Sequence, residues 1–160
     1  ALAEHALALH APASSAEIAA LWRWRDGVSL AVEAVHGGKV SEDIAVPLDR
    51  LADAIEATTE IGARHDLPAC SWGHAGDGNL HSTFMVDPRD RAQLDRAHAA
   101  AVALYASAAA MGGTISGEHG LGWVKRGHLD EQWSTATRGV HEAIKQALDP
   151  KNLMNPDKKT

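Results

Sequence analysis

Residues 73–81 read GHAGDGNLH, with Asp77-Gly78 set between two short apolar runs, residues 69–72 and 80–86. Asp-Gly is among the strongest two-residue hairpin signals, because both central positions of that turn need a positive φ. A chain carrying this segment must bring two strands together antiparallel, and the rest of the fold has to be built around that pairing. With Asp77 and Gly78 as the turn, residue 76 pairs with 79, 75 with 80 and 74 with 81. His74 and His81 then stand directly opposite on one face, with Cβ atoms about 4.5–5.5 Å apart. Ala75 and Leu80 pair on the other face, toward the helices. Two imidazoles so placed can chelate one divalent ion, with Zn–N bonds near ~2.0–2.1 Å. A one-residue slip would separate them. The alternative is two histidines on a polar sheet face, with glycines serving only the turn.

Helices are expected on both sides of this hairpin. Ser14 or Ser15 can cap a first helix, with Glu17 in its first turn and Ile18, Leu21 and Trp22 on one side. That helix is expected to end near Asp26-Gly27, leaving residues 28–35 as a strand or a continued helix. His36-Gly37-Gly38-Lys39 makes a turn, and residues 44–47 read as a short strand stopped by Pro47. Leu48, Leu51, Ile55 and Thr58 predict a helix over about 48–64. Asp87-Pro88 is predicted to open the next one, with Leu94, Ala97, Ala101, Leu104 and Ala108 on its inner face. A last helix is predicted over about 130–148, with Val140, Ile144 and Leu148 inward. The pattern predicts an α+β fold, an antiparallel sheet with helices packed on one face.

The 160 residues suit one domain. Alanine dominates an apolar share of 45% and aromatics are only 4%, so the core should be helix-rich and shallow. A net charge of −6, with no basic stripe, excludes nucleic acid as an expected partner. No run nears the roughly 18 apolar residues of a membrane span. Cys70 is the sole cysteine, so no internal disulfide forms, which fits a reducing, cytoplasmic setting. The opening lacks Met and carries Glu4, His5 and His10 among alanines, so Ala1 reads as a boundary inside a longer polypeptide, not the start of a secretory signal.

A second motif follows the third helix, residues 112–122, GGTISGEHGLG. Its glycines let backbone approach a ligand closely. Glu118 could complete a His2Glu site with open positions. His119 beside it is a candidate general base, since an ordinary imidazole titrates near ~6.5. The spacing alone slightly favours the plainer reading, a helix-linking loop with a surface Glu and His. The tryptophans are expected in core or interface, with Trp72 or Trp123 lining a pocket. The seven histidines outside the two motifs, His5 and His10 among them, are expected at the surface or in packing.

GHAGDGNLH, GGTISGEHGLG followed by Lys125, EDIAVP and the terminal ALDPKNLMNP together resemble the C-terminal domain of FAD-linked oxidases, flavoproteins of the vanillyl-alcohol oxidase type. That family includes D-lactate dehydrogenases, glycolate oxidase subunits and D-2-hydroxyglutarate dehydrogenases. The resemblance spans about residues 17–158. It implies that His74, His81 and Glu118 hold a divalent metal, Zn- or Mn-like, and that His119 is the catalytic base. It suggests Arg25 for the substrate carboxylate, with Arg23 as competitor. Asn79 is suggested near substrate or flavin, and Lys125 as positive charge near either. Arg suits a carboxylate because its planar fork matches it bidentately. The resemblance also implies FAD, held mainly by an upstream domain absent here, so this chain alone is expected to lack flavin and turnover. Further expectations are a small 2-hydroxy-acid substrate, an undetermined electron acceptor, a homodimer covering exposed sheet, and a peripheral inner-membrane position for the intact enzyme. Two other classes stay open: a non-catalytic domain stapled by metal, and a metal-dependent hydrolase.

Overall fold

A computed structural model describes residues 10–156 and 158; His5 lies outside these. The element order is α1 (Ser15–His36), β1 (Lys39–Ala45), α2 (Leu51–Arg64, preceded by a short 3-10 turn), β2 (Ala69–His74), β3 (Asn79–Met85), α3 (Arg91–Ala110), α4 (Leu129–Gln132) and α5 (Thr135–Leu148). The strands form one antiparallel sheet in the order β1-β3-β2. The α+β reading therefore holds.

Side chains alternate across a strand, so this register splits the sheet into two faces. Ile44, Leu80 and Phe84 point to one face and are almost fully buried against Ala54 and Ile61 of α2 and Ala97, Ala101 and Leu104 of α3. Alanines suit this contact because they let the α3 backbone come close to the strands. Gly62 serves likewise in α2: a Cβ there would lie 2.6 Å from that of Ala69. Lys39, Asp43, Asn79, His81, Trp72 and His74 share the opposite face. α1 crosses there, its Ser29 carbonyl accepting from the Lys39 ammonium at 2.6 Å. Helices thus lie on both faces, not on one alone. Among the described residues no helix is long and apolar enough to cross a membrane.

Several local expectations are corrected. α1 runs on past Gly27 to His36, so that of the two readings of residues 28–35 the continued helix holds and the stop at Asp26-Gly27 does not. It starts at a capping box between Ser14 and Glu17 and ends at Gly37, whose φ is +81°. A mid-helix glycine costs only about 1 kcal/mol, whereas the left-handed C-cap at Gly37 terminates the helix outright. α3 is capped by Asp90, which accepts from Ala92 and Gln93 N–H, rather than by Asp87. The last helix is broken at Trp133-Ser134, where the Ser134 hydroxyl caps α5 by accepting from Thr137 N–H. Val140, Ile144 and Leu148 are all more than half exposed instead of inward, because α5 lays no face on the core.

The hairpin forms with a different turn. β2 ends at His74 and β3 starts at Asn79, which leaves a four-residue loop, residues 75–78. His74 pairs with Asn79, Gly73 with Leu80 and Trp72 with His81. Gly78, at φ +80°, passes so close to β1 that a Cβ would sit 1.9 Å from the Val46 carbonyl oxygen. Its own carbonyl accepts from Val46 N–H at 3.0 Å. Gly73 likewise has no room for a Cβ, which would meet the Asn79 carbonyl oxygen at 2.1 Å.

Candidate functional site

The register differs from the two-residue turn by two positions, and a shift of two keeps every side chain on its face. His74 and His81 are therefore diagonal neighbours instead of directly opposed. Their ring centroids are 5.8 Å apart with the ring planes at 77° to one another. Trp72, opposite His81, leans on its ring at 5.9 Å.

The glycine-rich segment reaches this face because it is stitched to β1. Thr114 and Ala45 exchange backbone hydrogen bonds of 2.7 and 3.1 Å. The chain then turns over Asp43, whose carboxylate accepts from the N–H of Gly117, Glu118 and His119 and from the Ser116 hydroxyl, at 2.8–3.1 Å. The Asn79 amide donates to the same carboxylate at 2.5 Å. Glu118 is thereby brought over the hairpin, its Oε1 lying 3.2 Å from His81 Nε2 and 3.7 Å from His74 Nε2. One donor atom from each of the three lies within 4.8 Å of the other two. His119 Nε2 is 3.7 Å from the same Oε1, and its ring centroid is 5.4 Å from that of His81.

These residues fit a divalent ion. Burial lowers the affinity of His81 for a proton, against the opposing pull of the Glu118 and Asp43 charges, and a ligating imidazole must be neutral. Two nitrogens and one carboxylate oxygen, the latter on a half-exposed Glu118, are a donor set with positions to spare. They line a cavity of about 640 Å³ whose other walls include Arg25, Lys39 and Trp72. Arg25 is half exposed and pairs with its neighbour Asp26 at 3.3 Å, so its guanidinium is not buried in another interaction. Arg23 does not line this cavity. Of the two tryptophans considered, Trp72 lines it and Trp123 does not.

Two residues expected near substrate or flavin are engaged elsewhere. Asn79 is buried, and its amide nitrogen also donates to the Ile44 carbonyl at 3.1 Å. Lys125 is neither solvated nor directed at the cavity. It is 5% exposed and donates to the carbonyls of Asp43 and Ile115, both at 2.7 Å, with Glu42 at 3.4 Å. Both residues hold the loop and the sheet together.

Asp43 and Lys39 were missed as site residues. The only sequence sign of Asp43 is its place in EDIAVP; Lys39 has none beyond following a double glycine. Burial would push the Asp43 carboxyl up, but bonds from His119 N–H, Asn79, Glu118 N–H and Ser116 outweigh it and hold it at about 2. A carboxylate held below its unfolded value of about 4 contributes stability above that pH and loses it as pH falls through the folded value. Stability should therefore drop between about pH 4 and pH 2, a loss shared with Asp87 and Asp149. Urea midpoints across this range should show a shallower drop for Asp43→Asn; an unchanged slope would count against the bonding described.

Residues 1–159 of the chain match the family described as "FAD linked oxidases, C-terminal domain". Among curated relatives, "Glycolate oxidase subunit GlcD" of Bacillus subtilis is 38% identical over 119 residues, 74% of this chain and 25% of that protein. "Probable D-lactate dehydrogenase, mitochondrial" of Danio rerio is 37% identical over 140 residues, 86% of this chain and 28% of that protein. The chain thus spans about a quarter of the length of the relatives it matches.

Proposed function

The chain belongs to the FAD-linked oxidase C-terminal domain family, and from that premise we propose that it is the substrate- and metal-holding part of a flavin-dependent 2-hydroxy-acid dehydrogenase or oxidase. The observation that carries this reading is the convergence of His74, His81 and Glu118 beside His119, in one cavity with Arg25. D-lactate, glycolate or 2-hydroxyglutarate is the substrate type.

In the intact enzyme Arg25 binds the substrate carboxylate with its planar fork. His74, His81 and Glu118 would hold a Zn- or Mn-like divalent ion, which would supply Lewis acidity that lowers the pKa of the substrate hydroxyl. His119 accepts the hydroxyl proton on its imidazole as general base. FAD, held by the rest of the polypeptide, would supply the two-electron acceptor for the 2-hydrogen and its electron pair, so that the 2-hydroxy acid would become the 2-oxo acid. Asn79 and Lys125 do not touch substrate in this scheme. A cytoplasmic location, with peripheral contact at the inner membrane, accompanies the reading.

The test is the full-length polypeptide. It should be yellow, carry about one divalent ion per chain and reduce an artificial dye with a D-2-hydroxy acid. A colourless full-length protein that binds metal would favour a hydrolase or a metal-stapled domain.

A further inference from the structure

We infer that Asp43 is the positioning residue of this site, its one carboxylate clamping the loop that carries Glu118 and His119 onto the hairpin that carries His74 and His81. Asp43 stands directly across the β1–β3 pairing from His81, and Asn79, which donates to it, stands across the β2–β3 pairing from His74. Three consecutive N–H groups, of Gly117, Glu118 and His119, converge on the carboxylate from the loop. Successive N–H groups turned inward form an anion-binding concavity. Here the anion is the protein's own.

The donors also account for the burial. Asp43 is 2% exposed, and a carboxylate so enclosed is costly unless its lone pairs are filled. Bonds from the three N–H groups, the Ser116 hydroxyl and the Asn79 amide fill them. By contrast, the side chains of Glu118 and His119 are 51% and 65% exposed. Their direction is therefore set by the backbone beneath them, and Asp43 sets that backbone. Gly117 completes the clamp, since a Cβ there would lie 1.8 Å from Asn79 Nδ2 and 2.8 Å from Asp43 Oδ1.

Zn²⁺ titration and amide hydrogen exchange of this chain test the clamp; only the titration rests on the metal reading above. Asp43→Asn should weaken Zn²⁺ binding about 10–100-fold, the usual effect of removing a group that orients ligands. In a Glu118→Ala background the same change should cost no more than about 2-fold, as expected when the affected partner is already gone. Equal losses in both backgrounds would mean that Asp43 acts through the sheet or its charge, and would overturn the inference. The amides of residues 117–119 should lose protection in Asp43→Asn while those of Leu80 and Phe84 keep theirs; unchanged loop protection would also overturn it. If the unaltered chain binds no Zn²⁺, the metal reading fails, and exchange alone decides the clamp. If Asp43→Asn does not fold, Gly117→Ala keeps the carboxylate and wedges the loop away. It should reproduce both patterns, and failure to reproduce either would overturn the inference.

Discussion

Replacing His119 by alanine in the full-length flavoprotein should lower kcat about 10²–10⁴-fold, the usual contribution of a general base, with flavin and metal retained. The prediction is specific because His119 serves the fold through its backbone alone. Its N–H donates to Asp43 at 2.9 Å, and alanine keeps that bond. The imidazole is largely exposed, facing Glu118 and the His81 ring, so its removal leaves no cavity and no unpaired buried group. Steady-state kinetics with a flavin spectrum and metal analysis on the same sample check this. Full turnover in the variant would remove His119 from the mechanism.

Lys125→Met should destabilise the chain by about 3–5 kcal/mol, the cost of stripping one partner from a buried ion pair. Glu42 would be left 7% exposed beside a thioether, and the carbonyls of Asp43 and Ile115 would both lose a donor. The Tyr105 hydroxyl, already hydrogen-bonded to Glu42, cannot substitute as an ion partner, because a phenol carries no positive charge in either protonation state. Urea denaturation measures the loss. If Lys125 instead faced substrate, the variant would raise KM with little change in the unfolding midpoint.

These two residues mark what the sequence could and could not convey. The hairpin and the α+β class were legible because they depend on local signals: alternation, turn residues and helical period. The register was not, since the Asp77-Gly78 rule sees only the turn. The loop that forms is fixed by contacts from β1 and the residue just after it, more than 30 residues away, Val46 N–H to the Gly78 carbonyl and Asn79 to Asp43. The error was harmless to the site because it was an even number of residues. The inward face expected of α5 failed for a different reason: period reveals which residues share a stripe, not whether this chain covers it. Asp43 was hidden most deeply. An acidic residue in a strand looks the same whether it meets water or, as here, three N–H groups from more than 70 residues downstream.

The closing of His74, His81 and Glu118 on one divalent ion is tested most directly by X-ray absorption at the zinc edge of the Zn²⁺-loaded chain. The expected spectrum shows scattering from two imidazoles together with oxygen, and loses one imidazole in either His74→Ala or His81→Ala. A spectrum without imidazole, or one unaltered by both substitutions, would contradict it.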